Sequence, residues 1–367
     1  MAVYFGPNGT LERGGGVVAT SGGALYAFYT QSNASVLLSK STNGGSSWSV
    51  VPGVAGSTIS GTTLCVGWVS VAIDGNDVIQ VVVSSSADST WSSSCTSVET
   101  ATDTWASWEQ AAAYGDVPTY PGCSLALDSN GKPHILYING VSSMGSVLDR
   151  VYYVNKTGSS WTTAAVVSTN TTINYRWPQL LIYANNDRVA YYTGFTTAYI
   201  DYWRVYTSGA WGSTATGYST YVTDAARALS GSGSNWYRYP KVSTSGSFYE
   251  GANGGSLSYR TSTLTSPVAH AAAVANGNRY IFYIRSADSD VGVHYYDSAL
   301  SQWVTQTVLA GTYNQTTVFW QYNFFNGGTA GLHLVVRNTA DADVYYQAYP
   351  FASCVSDTAA AAAGAAM

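Results

Sequence analysis

The sequence predicts an all-β protein: a propeller of repeated four-stranded blades, with seven blades favoured and six the alternative. Three observations carry this. A hairpin pattern recurs seven times, a turn ending in tryptophan follows many of the hairpins, and the composition is rich in residues that suit short strands and tight turns.

The hairpin is a short apolar strand, a Gly/Asn/Asp turn and a second apolar or aromatic strand. It reads GVVATSGGALYAFY at 15–28, SVAIDGNDVIQVVV at 70–83, SLALDSNGKPHILYI at 124–138 and QLLIYANNDRVAYY at 179–192. It returns as KVSTSGSFYEGA at 241–252, AAVANGNRYIFYI at 272–284 and VFWQYNFFNGGTAGLHLVV at 318–336. Asn-Gly, Gly-Asn and Ser-Gly pairs supply the positive φ that tight hairpins need. Centred on Ser21, Gly75, Asn130, Asn185, Ser245, Asn276 and Asn326, the turns are spaced by 54, 55, 55, 60, 31 and 50 residues. A period near 50 is one four-stranded blade; the 31-residue interval makes the fifth unit the irregular one.

Third strands follow the hairpins, as DRVYYV, YIDYWRVY, VGVHYY and DVYYQAY. Turns ending at Trp48, Trp161, Trp211 and Trp303 come next, with Trp105 or Trp108 in the equivalent place of the second unit. The last unit has three strands and no fourth before the alanine tail. AVYF at 2–5 is otherwise without a partner, so it is expected to complete the last blade and join the chain ends. The expected organisation is one propeller domain over 1–355 and an Ala-rich tail over 356–367.

Thirty tyrosines, twelve tryptophans and 37 glycines fit such a fold, and exclude a disordered chain. Only 10% of residues are charged, against roughly 25% in typical proteins, and the net charge is −5. With four lysines and no basic stripe, nucleic acid is excluded as a partner. No apolar stretch reaches membrane-spanning length. The N-terminus does not read as a signal peptide. A surface suited to the extracellular medium without an export signal points to a virion component or to a mature chain. Cys65, Cys95, Cys123 and Cys354 lack metal-ligand spacing. A Cys65–Cys95 disulfide and buried free thiols are the two alternatives for them. The four histidines are dispersed, and neither a metal nor a cofactor is expected.

STNGGSSW at 41–48 resembles the Asp-box of sialidase-like propellers, with Ser41, Gly45 and Trp48 matching and Asn43 in the place of the aspartate. LDSNGKPHILY is similar to the broader BNR-type repeats. The resemblance implies the architecture over nearly the whole chain. It does not extend to catalytic residues: the early Phe/Tyr-Arg-Ile-Pro motif of sialidases is absent, and none is carried over.

Tyr-Arg-aromatic-Pro occurs twice, in NYRWPQ at 174–179 and WYRYPK at 236–241, with a reduced TYPG at 119–122. Read as lead-ins to successive innermost strands, these copies make one face patch of Tyr120, Tyr175, Arg176, Trp177, Trp236, Tyr237, Arg238 and Tyr239, with Glu250 added from SFYEG. Proline stiffens each aromatic, and arginine forks hold carboxylates or hydroxyls. The same residues equally suit joints between blades. The insertion DAARALSGSGSN at 224–235 is expected to form a lid or partner-binding loop. The reading is a non-enzymatic recognition or structural propeller, binding glycan or a neighbouring protein subunit. A carbohydrate-active enzyme, hydrolase or lyase, is the competing class.

Overall fold

The structure is a computed structural model. It describes residues 3–6, 9–31, 35–51, 58–59, 62–63, 65–87, 90–116, 118, 122–143, 146–182, 186–195, 199–217, 229–232, 235–238, 241–242, 247–253, 258–261, 267–275, 278–285, 290–297, 300–310, 313–320, 331–338 and 344–350. Every regular element among them is a β-strand, and the sheets form a β-propeller.

Hydrogen bonding delimits five separate sheets of four or five strands, one nine-stranded sheet, and a two-stranded piece of Thr58–Ile59 with Thr62–Thr63. Seven separate blades were expected from the repeats. The first two repeat units are instead joined by a parallel bridge, Gly14 to Val69, between Gly9–Ala19 and Cys65–Ile73. Each remaining unit is an antiparallel meander. The third runs through Cys123–Leu127, Pro133–Ser143, Ser146–Thr157 and Ala165–Val166. The fourth runs through Asn174–Ile182, Arg188–Phe195, Tyr199–Thr207 and Ala215–Thr216.

The first strand of each unit is innermost. Gly9–Ala19, Cys65–Ile73, Cys123–Leu127, Asn174–Ile182, Leu229–Ser232, Pro267–Ala275 and Tyr313–Trp320 neighbour one another in that order, and the last returns to the first. Every such strand runs from a leading end, where the chain arrives from the previous unit, to a turn end, where the first hairpin closes. The expected closure is present: Val3–Gly6 pairs antiparallel with Val344–Pro350, Val3 opposite Tyr346, and completes the last four-stranded sheet.

The irregular 31-residue interval has a structural cause. The segment expected as a lid contains the strand Leu229–Ser232, which pairs with Asn235–Arg238 and lies between the innermost strands Asn174–Ile182 and Pro267–Ala275. The hairpin at 241–252 is therefore the second-to-third turn of its sheet, not the first. WYRYPK belongs to a second strand, whereas NYRWPQ lies in a first.

Alternation along the strands buries one set of side chains against each neighbouring blade. Val18, Tyr26, Phe28 and Leu38 meet Val69, Val71, Ile79 and Val81 between the first two units. Leu136, Ile138, Val151 and Tyr153 meet Leu180, Ala190, Tyr192 and Tyr202 between the third and fourth. Serine hydroxyls lace the inner strands together: Leu125 N donates to Ser70 Oγ (3.1 Å), and Leu180 N to Ser124 Oγ (3.0 Å) one unit later. At the turn end, Ser21 N and Oγ donate to the Asp77 carboxylate, and Ser129 N donates to Asn186 Oδ1. Asp77 and Asn186 hold equivalent positive-φ positions, +62° and +64°, that Asp and Asn tolerate better than other side chains.

The 41–48 turn is held by its own polar groups. Ser41 Oγ accepts from Gly45 N (2.9 Å), Asn43 Oδ1 accepts from Ser47 N (2.9 Å), and Trp48 Nε1 donates to Gly45 O (3.1 Å). Asn43 supplies the acceptor that an aspartate would. The tryptophans of the later turns reach back to the preceding blade: Trp105 lies edge-on to Phe28, and Trp211 edge-on to Tyr153. Cys95 and Cys123 are both buried thiols outside any disulfide, so Cys95 is not bonded to Cys65.

Because Val3–Gly6 completes a sheet, removing residues 1–6 exposes an edge and opens the ring. The truncated protein should melt well below the full chain in a thermal scan; superimposable melting curves would refute this closure.

Candidate functional site

Of the nine residues singled out from the sequence, six have described side chains, and these six fall at both ends of the ring. Tyr120 and Tyr239 lie outside the described residues, and for Arg238 the strand alone is described. Tyr175 is fully buried, edge-on to Tyr192 and Tyr202, and burial pushes its hydroxyl up to about 12. It is a joint between blades. Trp236, also buried, packs edge-on against Trp203 of the preceding blade. Tyr237 and Glu250 sit at the turn end, while Arg176 and Trp177 sit at the leading end. The two motifs serve opposite ends of the ring.

At the turn end, Glu250 comes from the third strand of its sheet, Ser247–Ala252, and only 4% of it is exposed. Arg279 Nε of the next blade lies 2.7 Å from Glu250 Oε2, without the alignment of a hydrogen bond. The guanidinium carbon stands 4.1 Å from the Tyr296 ring centroid, 5.3 Å from that of Tyr237 and 5.7 Å from that of Trp303. Arg188 occupies the same place in the 174–216 blade, 4.3 Å over Tyr206 and 5.4 Å over Tyr153 of the preceding blade. Pairs of aromatic faces thus form a slot for a cation at a blade junction. Sequence reasoning missed both arginines, although each opens a second strand directly after its turn.

Two histidines belong to the same layer. His134 Nδ1 is hydrogen-bonded to the Tyr153 hydroxyl, and its Nε2 lies 3.5 Å from Asp128 Oδ2. Burial, aided by the charge of Arg188, lowers His134 to about 4 against the opposing pull of Asp128. His294 stacks on Trp303 at 4.7 Å, bonds Thr305 Oγ1 through Nδ1, and is lowered to about 4 by burial. A separate cleft of about 310 Å³ opens at the turn end between residues 20–24 and 99–101. Two of its lining groups engage Asp103: Lys40 Nζ pairs with its carboxylate (2.8 Å), and the Tyr26 hydroxyl donates to its Oδ1 (2.6 Å).

The leading end of Asn174–Ile182 has a different character. A bulge interrupts the ladder between Arg176, opposite Thr193, and Gln179, opposite Tyr191, so one extra residue is accommodated. Irregularities recur at the leading ends of other inner strands, at 10–15, 66–68, 267–269 and 313–318, so the bulge belongs to the repeat. Among the described bulge residues, Trp177 is the one non-glycine held at positive φ, +48°. A bulky residue there costs about 1–2 kcal/mol of strain. Pro178 is buried against the preceding blade, where a Cβ on Gly122 would come within 3.0 Å of its Cδ. Proline also forfeits no ladder bond at a bulge.

Arg176 is 7% exposed, and its guanidinium carbon lies 5.6 Å from the Trp177 ring centroid and 5.2 Å from that of Phe195. Trp177 and Phe195 are both half-buried. A planar cation flanked by partly exposed aromatics at the mouth of the ring can stack on an apolar sugar face and donate to hydroxyls. Among the described residues, no cluster of His, Cys, Asp and Glu forms a metal site.

No family profile matches the sequence, and no curated protein sequence matches it. The fold resembles those of solved glycan-acting propellers. A polysaccharide lyase PL25, ulvan lyase, bound to -[GlcA(1-4)Rha3S]-, aligns with TM-score 0.62 at 12% identity over 95% of this chain and 96% of that one. The Penicillium chrysogenum alpha-L-arabinanase complexed with arabinobiose aligns at 0.60 and 14%, over 95% and 97%. A mutant Aleuria aurantia lectin in complex with Fucalpha1-6GlcNAc aligns at 0.50 and 15%, over 84% and 99%. At such identities the likeness establishes the propeller fold.

Two outcomes follow from the turn-end layer. Glu250→Ala strands the Arg279 cation in its slot and should lower stability by about 3–5 kcal/mol in urea unfolding, the cost of breaking a buried pair. A loss under about 1 kcal/mol, the range of an exposed pair, would show the pair to be solvated. His134 and His294 titrate lower in the folded chain than the ordinary 6.5. Between pH 6.5 and 4 the unfolded chain therefore binds more protons. The stability from the neutral rings is whole above pH 6.5 and is lost as pH falls toward 4. The melting temperature should fall across that window, and less steeply in the His134→Gln/His294→Gln protein; equal slopes would exclude the two rings as the cause.

Proposed function

We propose that this protein is a glycan-recognising propeller that holds sugar at the leading end of its ring, through Trp177, Phe195 and Arg176. The observation that carries the reading is the Trp177 bulge. A strained, partly exposed tryptophan is kept beside an arginine at a point where the repeat requires only a bulge. The company the fold keeps, arabinanase, lyase and lectin, supports a carbohydrate as the ligand.

Binding is favoured over turnover by the placement of carboxylates. A glycoside hydrolase ordinarily needs two carboxyl groups flanking an accessible bond. Beside the Trp177 bulge, the described carboxylates Asp149 and Asp201 are fully covered, Glu250 is paired with Arg279 at the other end, and the partly exposed Asp116 and Asp290 lie in other units of the ring. As part of the same proposal the ring has seven blades. The nine-stranded sheet then counts as two meanders meeting at one bridge, a count supported by the cyclic order of the inner strands. Kinship with sialidase-like Asp-box propellers is supported by the hydrogen-bonded 41–48 turn. An extracellular setting, a virus particle included, is supported by the sparsely charged surface.

A glycan array read beside a reducing-end release assay tests the function. The protein should retain at least one glycan class and release no sugar. Trp177→Ala should weaken that binding about tenfold, ~1.4 kcal/mol, with an unchanged melting curve. Sugar release by the wild-type protein would replace this reading with the enzymatic one, and undiminished binding by Trp177→Ala would remove the site.

A further inference from the structure

The segment that feeds the Trp177 strand carries an acceptor for covalent modification. We infer that Asn170 takes an N-linked oligosaccharide when this chain passes through a secretory pathway. The inference rests on the extracellular setting proposed above and is independent of what the leading end binds.

Asn170-Thr171-Thr172 is an Asn-x-Thr acceptor sequence, and further Asn-x-Ser/Thr sequences begin at Asn8, Asn33, Asn155 and Asn314. Among these asparagines, the side chains of Asn155 and Asn170 are described. Residues 169–172 are all exposed, between the buried Ser168 and Ile173. They cross the leading end from the outer strand Ala165–Val166 to the inner strand Asn174–Ile182. Both flanks are held. Ser168 Oγ accepts from Val151 N (3.1 Å), and Ile173 joins the apolar cluster between the third and fourth units. The projecting run is thus fixed at its base and open above.

The acceptor amide is oriented by the very residue the motif requires. Thr172 donates twice to Asn170 Oδ1, from its N–H (2.8 Å) and from its hydroxyl (2.9 Å). Two donors demand the amide oxygen at that position, so Nδ2 is the atom turned away. Nδ2 makes no hydrogen bond within the described residues. Asn155 is arranged differently. It is half-buried in the strand Ser146–Thr157, where its Nδ2 donates to Thr157 Oγ1 (3.3 Å) and its Oδ1 accepts from Thr162 Oγ1 (3.2 Å). Its amide is engaged at both atoms.

The donor class is an oligosaccharide linked to a polyprenyl diphosphate. Asn170 Nδ2 forms the bond to the anomeric carbon while the anomeric C–O bond breaks. The lipid diphosphate leaves with that electron pair, and Nδ2 gives up one proton. The added sugar is bulky and hydrophilic, so the folded chain accommodates it where it reaches solvent. On Asn170 it does so without loss, because both Thr172 bonds go to Oδ1 and survive substitution at Nδ2.

The test directs the full chain through the secretory pathway of eukaryotic cells behind a cleavable leader. Mass spectrometry then maps sugar at each asparagine. Asn170 should be occupied, and peptide-N-glycosidase should remove its glycan from the folded protein without denaturant. Asn170→Gln and Thr172→Ala should each lose that glycan, and Thr172→Ser should retain it. A folded, secreted protein with Asn170 bare, or with sugar at Asn155 in its place, would overturn the inference. So would a glycan on Asn170 that yields to the glycosidase only after denaturation. Mapping of the wild-type chain decides the matter even if a variant does not fold.

Discussion

The junction between neighbouring blades is the constraint on which the rest of the structure depends. A single meander of four short strands has two apolar faces and cannot bury either alone. Each face closes only against the next unit, where aliphatic and tyrosine side chains from both sides interleave. Inner strands cannot approach more closely than their side chains allow, and small hydroxyls occupy the narrowest point. The Ser70–Leu125 and Ser124–Leu180 bonds satisfy backbone N–H groups on the exposed inner edge of each next strand. The ring must then close, and the pairing of Val3–Gly6 with Val344–Pro350 closes it.

Once the junctions are set, the two ends of the ring diverge. The turn end is where polar residues serve structure. Lys40, Arg188 and Arg279 each lie over tyrosine rings, and the carboxylates near Lys40 and Arg279 are engaged by those cations. Histidines are kept neutral there by burial. The leading end carries the bulges, where the ladder is already irregular and an inserted side chain costs least. That is where a strained tryptophan beside an arginine is affordable.

Such a division of labour separates what holds the ring together from what lines its mouth. The junctions use one end and the blade interiors, and leave the mouth of the ring freer to vary. The Trp177 bulge and the exposed run 169–172 both lie at that end.

Local sequence determined the strand content, the repeat, the tryptophan turns and the closure of the ring by AVYF. Each of these rests on short-range chemistry: alternation, turn residues and a missing fourth strand. Only the tertiary structure decided the register of the fifth unit. Leu229–Ser232 is a strand because two inner strands flank it, and nothing in ALSGSGSN announces that by itself. The site was legible in part. The Tyr-Arg-aromatic-Pro motif led to Arg176 and Trp177, but its second copy occupies another strand and faces the other end. Tyr175, one residue from Arg176, points into the junction because strand neighbours alternate sides. Asn155 and Asn170 carry the same local signal, Asn-x-Thr. Their side-chain partners separate them, and those are set only once the 146–157 strand is paired and the 169–172 run is left outside.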